Sequence, residues 1–96
     1  GLTENLPRVL PDDLGATIDL QRIPALPIMA WLAQAGGISE AEMLKTFNCG
    51  IGMILAVEPT QVATVEAALS TQGMSSVRLG EVISGQGVSY MGQLPF

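Results

Sequence analysis

Two short runs hold most of the side chains able to do chemistry: Gly1-Leu2-Thr3-Glu4-Asn5-Leu6-Pro7-Arg8 and Thr46-Phe47-Asn48-Cys49-Gly50-Ile51-Gly52-Met53. In the first, a glycine precedes a helix start, where unpaired N–H groups and a partial positive charge suit a phosphate or carboxylate. Asn5 and Arg8 lie three apart and so share a helical face, offering an amide and a guanidinium to one anionic or sugar-like ligand. The plainer alternative is a cap supplied by Thr3, Glu4 or Asn5, with Arg8 a solvated charge. In the second run, Asn48 occupies a turn between a helix and an apolar strand. Its amide either faces a ligand cleft or ends the helix in left-handed geometry. Gly50 and Gly52 fit a close backbone approach or a bulge equally well. Cys49 has no cationic sequence neighbour to lower its pKa, and reads as a small buried hydrophobe rather than a nucleophile.

The rest of the composition narrows the chemistry. There is no histidine, so acid–base work would fall to a carboxylate or a cysteine with a shifted pKa, which weighs against a self-contained enzyme. No metal-ligand spacing and no Ser-His-Asp arrangement occurs. The four cations, Arg8, Arg22, Lys45 and Arg78, are scattered and the net charge is −5, against the clustered positive charge that nucleic acid or an anionic membrane requires. A lone cysteine makes no internal disulfide and suits a reducing, cytoplasmic compartment. No apolar run is long enough to span a bilayer, and no signal-peptide pattern is present.

A length of 96 residues predicts one domain, residues 1–96, with a modest core. Charged residues make up only 14% against 48% hydrophobic, low for an independent surface, so part of the apolar exterior is expected to belong to an interface.

The elements that must position these runs follow from local signals. Pro7 belongs to the first turn of a helix starting near Glu4 or Asn5, and Pro11 stops it at about Leu10. Leu14 to Leu20 reads as a short strand. Ile28, Trp31, Leu32 and Ala35 mark one helical face, closed by Gly36-Gly37. Ser39 and Glu42 form a capping box for a helix over Glu40–Thr46, with Met43, Leu44 and Phe47 directed to the core. Ile51 to Val57, continuously apolar, predicts a central strand covered on both faces. Thr60 caps a helix through Gln72 with Val62, Val65 and Leu69 inward and Gly73 at its end. Val77–Ser84 and Val88–Met91 read as a hairpin about Gly85-Gln86-Gly87. The expected class is α+β: a mixed, mostly antiparallel sheet with helices packed on one face.

The two runs that opened this reading, with Val9-Leu10-Pro11, Trp31-Leu32, the Ser39-Glu40 helix start and Leu79-Gly80-Glu81-Val82, closely resemble aminoimidazole ribonucleotide synthetase, or phosphoribosylformylglycinamidine cyclo-ligase, over the whole chain. In that family further glycines and a histidine precede the first run. The resemblance therefore implies the C-terminal part of the C-terminal domain of a two-domain enzyme. It implies a full-length homodimeric enzyme that converts formylglycinamidine ribonucleotide to aminoimidazole ribonucleotide in de novo purine synthesis, using ATP and Mg²⁺, with the ATP-binding segments and most of the dimer interface in a separate N-terminal domain. This stretch alone is then expected to be inactive and to bind neither ATP nor metal. Carried over residue by residue, the resemblance gives Gly1, Thr3, Asn5, Arg8 and Asn48 a substrate-cleft role and assigns no catalytic residue. Related ATP-using enzymes of the same superfamily, or a stand-alone α+β binding or dimerisation module, are the alternatives.

Overall fold

The computed structural model describes every residue from Gly1 to Phe96. Its centre is a six-residue strand, β1 (Leu14–Asp19), in which Ala16 and Ile18 point one way and Thr17 and Asp19 the other. That alternation buries the apolar pair and leaves the polar pair on the outer face. β2 (Gly80–Ser84) lies antiparallel to β1, with Ala16 opposite Val82. β3 (Gly87–Met91) runs parallel to β1 on its other side, with Ala16 opposite Val88 and Ile18 opposite Tyr90. The sheet order is thus β2-β1-β3.

This corrects the expected hairpin. β2 and β3 are joined by only Gly85 and Gln86, yet they straddle β1 instead of pairing with each other. Gly15 sits where that connection passes: a Cβ there would stand 2.7 Å from the Gly87 carbonyl oxygen and 3.1 Å from the Gln86 carbonyl carbon. The sheet is mixed, with one antiparallel and one parallel pairing, and the α+β class stands.

Helices cover the Ala16–Ile18 face. α1 (Leu2–Asn5) begins two residues earlier than expected and continues as a tighter 3₁₀ turn over Leu6–Val9, with Pro7 in its opening positions. α2 (Pro27–Gly36) ends at Gly37 in left-handed geometry; the Ile38 N–H bonds to the Ala33 carbonyl and the Gly37 N–H to that of Gln34, closing the helix as sequence predicts. Its inward face is different, however. Met29 and Ala33 pack on the core, whereas Ile28 and Trp31 are mostly exposed. α3 (Glu40–Thr46) is capped by Ser39, whose Oγ accepts the Glu42 N–H at 3.3 Å. Only half of the capping box forms, because the Glu42 carboxylate accepts the Thr46 hydroxyl instead.

Leu2, Ile18, Leu20, Ile23, Met43, Leu44, Cys49 and Leu94 form a single core cluster. Each such large side chain withdrawn from water contributes about 1.5–3 kcal/mol. Ile51–Val57 is no strand. It is irregular, its side chains half to fully exposed, and it leads through a 3₁₀ turn (Pro59–Gln61) into α4 (Val62–Thr71). Thr60 makes no capping hydrogen bond; Gln61 occupies the cap position without one. Val62, Val65 and Leu69 are half-buried, and α4 buries no residue fully. A strand closed on both faces needs neighbours on both edges, and nothing in this chain supplies them to Ile51–Val57.

Candidate functional site

α1 and α3 meet at one corner of the molecule. Gly1 lies so close to the end of α3 that a Cβ on it would overlap the carbonyls of Leu44 and Lys45. Packing thus explains the glycine, and it locks the first sequence run against the helix that delivers the second. Leu2 and Cys49 join the same core cluster, which brings together two runs more than forty residues apart.

Within that corner the side chains have distinct situations. The Thr3 hydroxyl is 2.7 Å from the Tyr90 hydroxyl, tying α1 to β3. Asn5 donates its Nδ2 to the Gly1 carbonyl at 2.8 Å, leaving its amide oxygen free to accept from elsewhere. Arg8 is exposed and makes no hydrogen bond or ion pair. Because 3₁₀ winding brings residues i and i+3 into line, Arg8 stays on the Asn5 side even though regular helix ends between them. A four-residue α1 has little macrodipole, so any anion recognition here rests on Arg8 and the Asn5 amide.

Asn48 is exposed, and its carbonyl accepts the Ile51 N–H at 3.0 Å in the turn after α3. Positive φ in that turn falls on Cys49, at 53°, and Gly50, at 93°, and not on Asn48, which overturns the reading of Asn48 as a left-handed helix end. The Cys49 side chain is fully buried, its Sγ 3.9 Å from the carbonyl oxygens of Met43 and Phe47. Burial pushes its thiol pKa above the ordinary value, the reverse of what a nucleophile needs.

Beside these residues an open groove of about 400 Å³ is lined by Thr3, Glu40, Glu42, Leu44, Lys45 and Tyr90. Of the five expected site residues only Thr3 reaches it; Gly1, Asn5, Arg8 and Asn48 lie outside its lining. Two carboxylates against one ammonium make the groove a poor phosphate receptor and a better one for neutral polar groups. Both carboxylates are already engaged: Glu40 accepts the Leu94 N–H at 2.8 Å and Glu42 the Thr46 hydroxyl at 3.4 Å. Burial is the main cause raising the Tyr90 hydroxyl pKa, opposed by the Thr3 hydrogen bond, so the phenol keeps its proton and can donate. Nothing local in the sequence marks Tyr90 as a site residue. It is one alternate position of a strand, and only the β1–β3 pairing brings it to Thr3.

The α+β architecture and this corner define the C-terminal type of domain found in proteins related to aminoimidazole ribonucleotide synthase. Residues 1–93 match the family model described as AIR synthase related protein, C-terminal domain, and the chain belongs to that family. The family includes ATP-using enzymes.

Proposed function

We propose that the chain is the C-terminal part of the C-terminal domain of a cytoplasmic, ATP-dependent cyclo-ligase that converts formylglycinamidine ribonucleotide to aminoimidazole ribonucleotide. The observation that carries this reading is the convergence of the Gly1–Arg8 and Phe47–Gly50 runs on one corner, joined through α3. The free Arg8 guanidinium and the Asn5 amide oxygen would hold the phosphate or polar edge of the substrate. Thr3 would reach the groove beside them and Asn48 would approach the substrate from the turn after α3, outside that groove, with Gly1 fixing the corner by close packing. Ring closure depends on holding the reacting nitrogen and carbon in line, so groups that only bind and orient matter to the rate.

No cluster of three or more His, Cys, Asp or Glu side chains fit to hold a metal ion occurs in the structure. In the proposed homodimeric enzyme, ATP and Mg²⁺ would be bound by a separate N-terminal domain.

The test is Arg8→Ala in the full-length enzyme. KM for formylglycinamidine ribonucleotide should rise roughly tenfold or more, as expected for loss of a charged hydrogen bond of about 1.5–3 kcal/mol, while KM for ATP changes much less. Unchanged kinetics in a folded variant would make Arg8 a surface charge. A full-length enzyme that consumes ATP but ignores this substrate would favour another ATP-using member of the superfamily.

A further inference from the structure

The stretch from Leu2 to Val9, which carries Thr3, Asn5 and Arg8, is held to the rest of the molecule by very few directional contacts. Its backbone hydrogen bonds reach no further than Gly1 and Leu10. Asn5 bonds back to the Gly1 carbonyl, and the pair between Glu4 and Lys45 is exposed and 4.0 Å apart, a geometry that fixes little. One hydrogen bond to a distant element remains, from Thr3 Oγ1 to the Tyr90 hydroxyl at 2.7 Å, across 87 positions of sequence. Leu2 is buried in the core cluster and Leu6 packs against it, but apolar contact has no preferred direction. A hydrogen bond does. Tyr90 is suited to supply that direction. It pairs with Ile18 in the parallel ladder of β1 and β3, so its ring lies on the helix-covered face and packs against the core while its hydroxyl reaches α1. The packed ring is a fixed point, whereas a four-residue helix does not hold itself in place.

We propose that Tyr90 is a positioning residue for substrate binding: through the Thr3 hydroxyl it sets the orientation of Leu2–Val9, and so aims the Arg8 guanidinium and the Asn5 amide at the ligand. This role rests on the cyclo-ligase reading of the corner. Tyr90 itself touches no reacting atom. With the bond broken, the short helix and its 3₁₀ extension sample orientations in which Arg8 and Asn5 no longer meet the substrate together. Apparent affinity then falls in proportion to the fraction of molecules still competent to bind. Because the bond acts before substrate arrives, its loss should appear in KM for that substrate and not in the chemical step.

Tyr90→Phe in the full-length enzyme is the test, because it removes the hydroxyl and keeps the packed ring. KM for formylglycinamidine ribonucleotide should rise about three- to tenfold, the range of one hydrogen bond, while kcat and KM for ATP change by less than about twofold. Amide exchange over residues 2–9 should quicken in the same variant. Thr3→Val should lose at least as much affinity, and Tyr90→Phe should add little to it, since either change breaks the same bond. Arg8→Ala separates this role from the reading beneath it. If Arg8→Ala raises the substrate KM and Tyr90→Phe does not, the site stands and the positioning role is overturned. If neither raises it, the site reading falls and takes the role of Tyr90 with it. A rise with Tyr90→Phe alone would also overturn the proposal, because Arg8 would then not be what is aimed. So would unchanged exchange over residues 2–9, additive losses in the Thr3→Val and Tyr90→Phe double variant, or equal rises in both KM values.

Discussion

Every buried residue lies between Leu2 and Cys49, apart from Leu94; from Gly50 to Gln93 there is none. The second region is nearly as apolar as the first, and Ile51–Val57 is among the most hydrophobic stretches of the chain. Hydrophobicity is a capacity to be buried, and burial itself needs a facing surface of matching shape. In the first region α1, α3 and β1 supply that surface to one another. In the second, α4 and the preceding segment have no such neighbour, and the molecule spreads to 41 × 35 × 20 Å.

The largest expected contrast is in the cost of shortening an apolar side chain. Met43→Ala or Ile18→Ala, at positions 1% and 2% exposed, should each cost about 2–5 kcal/mol. Leu55→Ala, at a position 53% exposed, should stay within about 0.5 kcal/mol. Urea unfolding measures both, and equal losses would show that the second region has a core of its own. A smaller contrast concerns glycines. A Cβ at Gly80 would run into the Thr17 carbonyl of β1, whereas one at Gly52 meets nothing within 4 Å. Gly80→Ala should destabilise by about 1–3 kcal/mol through overpacking. Gly52→Ala should be neutral or stabilise by up to about 1 kcal/mol, by restricting the unfolded chain.

The smallest effect is on alkaline pH dependence, and it comes from Cys49 in the core and from Tyr90, which the second stretch of sequence packs against that core. Burial raises the pKa of Cys49 above 9.0 and that of Tyr90 above 10.0. The folded chain therefore holds protons that the unfolded chain releases first. The associated stability is fully present below about pH 9 and declines as pH rises through the raised folded-state values. Thermal melts across that window should show the decline, and Tyr90→Phe should flatten its upper part. A decline identical in wild type and Tyr90→Phe would remove the phenol from the account.

Elements set by local chemistry were legible in the sequence. The Ser39 cap, the glycine at the end of α2, the Glu40–Thr46 helix and the alternation of β1 all appear where their residue types demand. Features decided by distant partners were not. Gly85-Gln86-Gly87 has the composition of a hairpin, but insertion of β1 between its arms depends on residues seventy positions away. Ile51–Val57 has strand composition without a strand's neighbours. The candidate site divides in the same way: the two runs announced themselves, whereas the Thr3–Tyr90 contact became visible only with the sheet order.

That sheet order has a consequence for how the protein is made. Both neighbours of β1 come from residues 80–91, so during synthesis the central strand waits through some sixty further residues with neither edge paired. Closing such distant contacts is slow, because the chain entropy is lost before the pairing compensates for it. Ala16 and Ile18 stay without their sheet partners throughout that interval. The nascent chain is therefore most open to misassociation just before β2 and β3 emerge, and a ribosomal pause ahead of Gly80 would prolong that exposure.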